Sequence, residues 1–229
     1  MATVLIVSKT QMRNGVCVGG IVEGSCELIR CHGERGENLP FDAPYEIGDR
    51  WEMSVETAWN VRQPPHTEDK QTIAYRKIEN IGIIGITRFI KSNASRLRIA
   101  RGHISNTFNG ALHFMGNKNF INRSDIPPFS TQFWITDKPL SKVVSFGKTY
   151  YMYDNIRIKF VGYQQEVSVI PAGTIIRLSL ANWWDGDGSG EDRCYLQLSG
   201  WYGGIKHSGI EAGDLDKGLK ILEEILKKL

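Results

Sequence analysis

The sequence predicts a mainly β fold: one β-rich region, a partly helical basic connector, a second β-rich region and a C-terminal amphipathic helix. Three observations carry that expectation. Short β-branched runs punctuated by Gly, Asn and Pro turns fill residues 1–78 and 128–202. Between them, residues 80–124 contain no Asp or Glu but seven cations, Arg88, Lys91, Arg96, Arg98, Arg101, Lys118 and Arg123. After Trp201 a Gly-containing stretch leads into a leucine heptad pattern.

In the first region, "TVLIVSK", "VCVGGIV" and "CELIRC" are strand-like runs separated by "RNG" and "EGS" turns. "GDRWEMSVETAW" alternates Trp51, Met53 and Val55 with Arg50, Glu52 and Ser54, the period of a strand with one buried face. A prolyl loop, "RQPPHTEDK", precedes the strand "QTIAYRKI". In the connector, 79–127, apolar residues at 83, 86 and 90 predict a short helix over 84–92, with Gly82 and Gly85 limiting its length. The Asn- and Gly-rich remainder, 102–128, reads as mostly irregular. Strands resume with "TQFWITDK", "KTYYMY", "NIRIKFVGY", "EVSVIP", "TIIRLSLANWW" and "RCYLQLSGW", a spacing that suits a small barrel or sandwich. Within 203–229, Leu215, Leu219, Leu222, Leu226 and Leu229 form an a/d seam that must dock on the body of the chain, on a second copy or on a protein partner. Acids at its start and lysines at its end match the helix dipole.

Composition bounds the function. The opening "MATVLIVSKTQMRNG" has no basic stretch running into a long apolar one, and no segment approaches the roughly 20 apolar residues of a membrane span. A cytoplasmic location away from membranes is therefore expected. Cys17, Cys26, Cys31 and Cys194 form no CxxC pair and read as free, mostly buried thiols. No nucleophile elbow, phosphate loop or HExxH is present, so a non-enzymatic chain without metal or other cofactor is expected. His66, Glu68 and Asp69 in "PPHTED" could build a metal or acid–base site, but a proline-bounded turn is the favoured account of them. "DGDGSGED" mimics the front of a calcium loop. Counting from Asp185, however, the twelfth position is Leu196 inside a strand, and no helix enters. The loop reads as a hairpin turn whose acids mark a rim away from any phosphate-bearing ligand.

The runs "SKTQMRNGVCVGGIVEGSCELIRC", "APYEIGDRWEM", "STQFWITDKPL", "RIKFVGY", "IPAGTIIRLSLANWW" and "RCYLQLSGWY" together resemble bacterial dual OB domain-containing proteins over most of residues 1–202. Glu27 and Ile29 depart from the Trp-Val type that the pattern carries before Arg30. The resemblance implies two OB-like barrels and a nucleic-acid ligand. OB barrels bind single strands by stacking bases on aromatic rings and neutralising phosphates with Lys and Arg. Candidates for those roles are Arg88, Lys91, Arg96, Arg98, Arg101, Phe114, Lys118 and Arg123 in the connector. In the second region Trp134, Tyr151, Tyr153, Arg157 and Lys159 alternate along strands as if lining one face. The expectation is a non-catalytic single-stranded nucleic-acid-binding module of a larger system. A protein-interaction adaptor using the barrels and the C-terminal helix is the alternative, and a metal-dependent hydrolase at His66 the least favoured.

Overall fold

The computed structural model describes residues 1–57, 64–185, 188 and 190–203; the heptad leucines Leu215, Leu219, Leu222, Leu226 and Leu229 lie outside them. Strands β1 (Ala2–Met12), β2 (Gly15–Val22), β3 (Glu27–His32), β4 (Asp49–Thr57) and β5 (Asp69–Asn80) close into a barrel in the order β1-β2-β3-β5-β4. β3 and β5 run parallel and the other neighbours antiparallel. This is the strand order expected of an OB barrel. Its interior is filled by Val4, Ile6, Val16, Val18, Ile29, Cys31 and Met53, with Leu39, Ala43 and Tyr45 of the long β3–β4 connection as a plug.

Helix α1 (Gly82–Ser92) spans the expected turn of chain and starts two residues earlier than the apolar spacing predicts. Asn80 Oδ1 accepts the Gly82 N–H at 2.8 Å, giving the first turn a partner that its own residues do not provide. Beyond it come β6 (Ile99–Gly102), a 3-10 stretch over Ile104–Gly110, and the hairpin β7 (His113–Met115) and β8 (Lys118–Ile121). The expectation of an irregular 102–128 is thus corrected. "MGNK" places Gly116, at φ 59°, in a two-residue loop, and three cross-strand pairs close the hairpin.

The second unit contains β9 (Thr131–Thr136), β10 (Leu140–Ser145), β11 (Lys148–Tyr153), β12 (Ile156–Phe160), β13 (Val169–Ile170), β14 (Ile175–Leu180) and β15 (Cys194–Tyr202). Its sheet runs β13-β10-β11-β12-β15-β14-β9-β6, with β12 and β15 parallel. β9 and β10, at opposite ends of the core of that order, are joined by residues 137–139. Pro139 cannot donate to a ladder. Taken as one broken first strand, they give the same 1-2-3-5-4 order as the first barrel. β8 pairs with β15, and Asn119 Nδ2 donates to Arg157 O at 3.0 Å, tying the small hairpin to β12.

The buried apolar residues fall into three clusters. One fills each unit, and the third lies between them: Leu5, Val7, Ile21 and Leu28 from the outside of the first barrel, Ile86 and Ile90 of α1, and Phe133, Ile175 and Tyr202 of the second unit. The Tyr202 hydroxyl donates to Val7 O across this layer. Among the described residues no helix is long and apolar enough to cross a membrane, and all four cysteines are free, with Cys17 half-buried and the others buried.

Candidate nucleic-acid interface

An OB barrel presents ligand on the outer face of its second and third strands and the loops beside it. In the first barrel that face is already occupied. Cross-strand partners share a face, so the register defines its rows. Leu5, Ile21 and Leu28 form an apolar row, and Ser8, Gly19, Arg30 and Asp69 form a polar one. The apolar row sits in the middle cluster against α1 and the second unit. Along the polar row, Arg30 Nε meets Asp69 Oδ1 at 2.8 Å and His32 Nε2 meets the same oxygen at 3.2 Å, all three side chains being buried. Gly19 has no Cβ because one there would overlap the Arg177 guanidinium and Ser8 Oγ.

The "PPHTED" loop fastens this contact. Glu68, 2 % exposed, accepts from Ser130 N at 3.0 Å, Ser130 Oγ at 2.9 Å and Thr131 N at 3.2 Å, and pairs with Arg98 Nη1 at 2.8 Å. His66 Nε2 faces Ala181 O at 3.1 Å and Leu180 O at 3.4 Å, which requires its proton on that nitrogen. Trp183 Nε1 donates to Pro64 O at 3.1 Å. Of the three residues singled out for a metal or acid–base site, His66 and Glu68 are therefore a clasp between the two units, and Asp69 pairs with Arg30 and His32 of its own barrel. Among the described residues no group of three His, Cys, Asp or Glu side chains is placed to hold a metal ion.

The clasp has a pH signature. Burial, and then the Arg30 charge, lower the His66 pKa from 6.5 to about 4. The unfolded chain takes up this proton near its ordinary pKa and the folded chain only near the lowered one, so stability falls as pH drops through that window. Acidifying from pH 7 to pH 5 is expected to remove about 2 kcal/mol through this one group. Urea unfolding at a series of pH values measures it, and His66→Gln should flatten that part of the profile.

The corresponding face of the second unit is open. β10, β11 and β12 contain no Asp or Glu. Their outward rows are Ser145–Lys148, Val143–Tyr150–Lys159 and Ser141–Met152–Arg157. Arg157 Cζ stands 4.4 Å from the Tyr150 ring centroid, a diagonal cross-strand pair. Lys148, Arg157 and Lys159 have no carboxylate partner among the described residues. Burial, and then the like charge of Lys148, lower the Lys159 pKa. At the tip of the β10–β11 hairpin, Phe146 is 100 % exposed with φ 49°, followed by Gly147 at φ 68°. A bulky ring in the left-handed region costs about 1–2 kcal/mol, and no packing of its side chain offsets that.

The sequence-derived candidates scatter around this geometry. Arg157 and Lys159 lie on the open face. Phe114 and Lys118 belong to the hairpin that abuts β12 through Asn119. Trp134 is a correction: it is fully buried, its Nε1 donating to Gly102 O at 2.8 Å, and it packs edge-on to Tyr153 in the second core. Tyr151 and Tyr153 are buried in that core as well, so none of the three can stack on a base. Arg98 is the counter-ion of Glu68 and lies over Phe129. Arg123 pairs with Asp192 at 2.9 Å and covers the Trp183 ring. Arg96 donates to Gly24 O, while Arg88, Lys91 and Arg101 are exposed elsewhere on α1 and β6. The acid-free stretch is thus a bias along the chain and does not form one groove. Tyr150, Lys148 and Phe146 were missed, although Lys148 sets the outward phase of "KTYYMY" and so points to Tyr150.

The acidic loop between β14 and β15 is closed by a Trp184–Arg193 bridge, and Gly190 N donates to Asp185 Oδ2 at 3.0 Å. It forms a β14–β15 connection, as the rejection of the calcium loop requires. A family model described as a dual OB-containing domain matches residues 2–201. The chain belongs to the dual OB-containing domain family. No curated protein and no solved structure matches it. In this dual OB protein the two barrels are unequal: the first offers its outer face to the second, and the second keeps its own face open.

Proposed function

We propose that this dual OB protein is a non-catalytic module that binds single-stranded nucleic acid on the β10–β11–β12 face of its second barrel. The observation that carries the reading is the chemistry of the one open OB face. Tyr150 and Phe146 offer ring surfaces, and Lys148, Arg157 and Lys159 offer cations without carboxylate partners among the described residues. In such grooves stacking supplies sequence-tolerant affinity, and cations release counterions from the backbone.

Fluorescence anisotropy with single-stranded DNA and RNA oligonucleotides over a salt series tests it. Tyr150→Ala is expected to weaken binding by about 1–3 kcal/mol. Arg157→Ala with Lys159→Ala should reduce the salt slope by about 1.4, two phosphates' worth for a single strand. Phe146→Asn should weaken binding while raising stability, because Asn tolerates a left-handed backbone. Arg88→Ala with Lys91→Ala, on α1, should leave affinity unchanged. Absence of binding to either nucleic acid at low salt, or equal loss in the α1 variant, defeats the proposal.

A further inference from the structure

A cleft of about 170 Å³ opens between the two barrels beside the occupied face. Two buried arginines form part of its wall, Arg30 from β3 and Arg177 from β14, at 4 % and 2 % exposure. Arg30 shares its charge with Asp69. Arg177 does not have such a partner: Nη1 donates to the neutral Ser199 Oγ at 2.9 Å, while Nε and Nη2 are buried without a hydrogen bond. No carboxylate lies within ion-pair distance of it among the described residues. The carboxylate whose charge reaches it, Glu68, is committed to Arg98, Ser130 and Thr131.

A buried guanidinium left unpaired is costly, and an apolar side chain of similar volume is often more stable in its place. Retaining arginine in "TIIRLSL" is explained if a ligand supplies the counter-charge. We propose that this cleft is a binding site for a phosphate-type oxyanion, with Arg177 and Arg30 as its cationic wall and Thr131, Ser179, Gln197 and Asn182 as hydrogen-bonding neighbours. At roughly 30 Å³ per water, the space holds about five or six waters. That volume suits a phosphate and its ester link, with the remainder of the ligand outside. Gln197 pairs with Lys159 on one side and Ser179 on the other, and Ser179 with Thr131. One row of residues thus runs from the open face of the second barrel into the cleft. The oxyanion is therefore either a free phosphate or the terminal phosphate of a strand. The site itself does not depend on nucleic-acid binding by the open face.

Thermal unfolding of the full chain in potassium phosphate, against potassium chloride of equal ionic strength, tests the site. Wild type is expected to gain about 5 °C when phosphate is at about twentyfold its Kd. Arg177→Met should start at equal or higher Tm in chloride and lose that gain, which separates loss of the site from loss of the fold. Paired anisotropy measurements with 5′-phosphorylated and 5′-hydroxyl oligonucleotides identify the source. Tighter binding of the phosphorylated strand, abolished by Arg177→Met, assigns a strand end. Equal binding of both strands with the thermal gain intact assigns a free phosphate. Arg157→Ala with Lys159→Ala should leave the thermal gain in place, so that failure of the open face is distinguishable. An equal thermal shift in wild type and Arg177→Met, or no response to phosphate in either assay, overturns the proposal.

Discussion

Glu68→Ala is expected to lower stability by about 2–5 kcal/mol, chiefly because each buried donor left without an acceptor costs about 1–3 kcal/mol, while Arg98, 37 % exposed, can be rehydrated. The carboxylate joins the entry of β5 to the start of β9 across 62 residues of chain. Its removal leaves two buried backbone N–H groups, Ser130 and Thr131, without an acceptor and Arg98 without its counter-ion. Glu68→Gln keeps one acceptor oxygen and should cost less. A double-mutant cycle with Arg98→Ala in urea unfolding isolates the pair term. An unchanged midpoint in Glu68→Ala would show that the clasp does not hold the barrels together.

Gly15→Ala is the second large effect, expected at about 3 kcal/mol. Gly15 begins β2 with φ 120°, a conformation that L side chains avoid, and a Cβ there would overlap the Leu39 carbonyl oxygen. Relief by rotating a side chain is not available, because the obstacle is backbone. The same carbonyl accepts the Val16 N–H at 2.8 Å, so moving it also breaks the bridge that seats the β3–β4 connection under the first barrel. Gly116→Ala, at φ 59° with open space around it, provides a comparison in which backbone strain acts alone. Similar losses of stability in both variants would remove the steric part of the argument.

Where one face of a strand meets solvent, the residues announced their placement. Met53 is buried in the first core with Trp51 and Val55 packed partly against it, the phase the sequence predicts, and α1 forms where its apolar spacing puts it. Where a strand is buried on both faces, alternation vanishes and so does the phase. β9 is such a strand, with Phe133 in the layer between the barrels and Trp134 in the second core. Nothing in "TQFWIT" distinguishes them, which is why Trp134 reads as a candidate for stacking. The "KTYYMY" strand was decidable, since Lys148 must face outward and Tyr150 shares its phase. Arg177 was legible in another way, as the lone charge in a strand whose other residues are apolar apart from Ser179. Its consequence depends on Gly19, 158 positions earlier and on the other barrel. The seven connector cations show the converse: neighbours in sequence, they are dispersed over α1, β6 and β8 and their flanking turns, and Arg98 and Arg123 pair with carboxylates of their own.

The burial of the first barrel's outer face has a consequence for valency. Tandem OB modules on a linker can engage one strand twice, the second contact gaining from a high effective concentration. Here the Leu5–Ile21–Leu28 row is committed to α1 and the neighbouring barrel, and Gly19 lies against Arg177, so repeating the fold does not repeat the contact. On the function proposed above, the pair is therefore a monovalent reader, and avidity would have to come from copies of the whole chain.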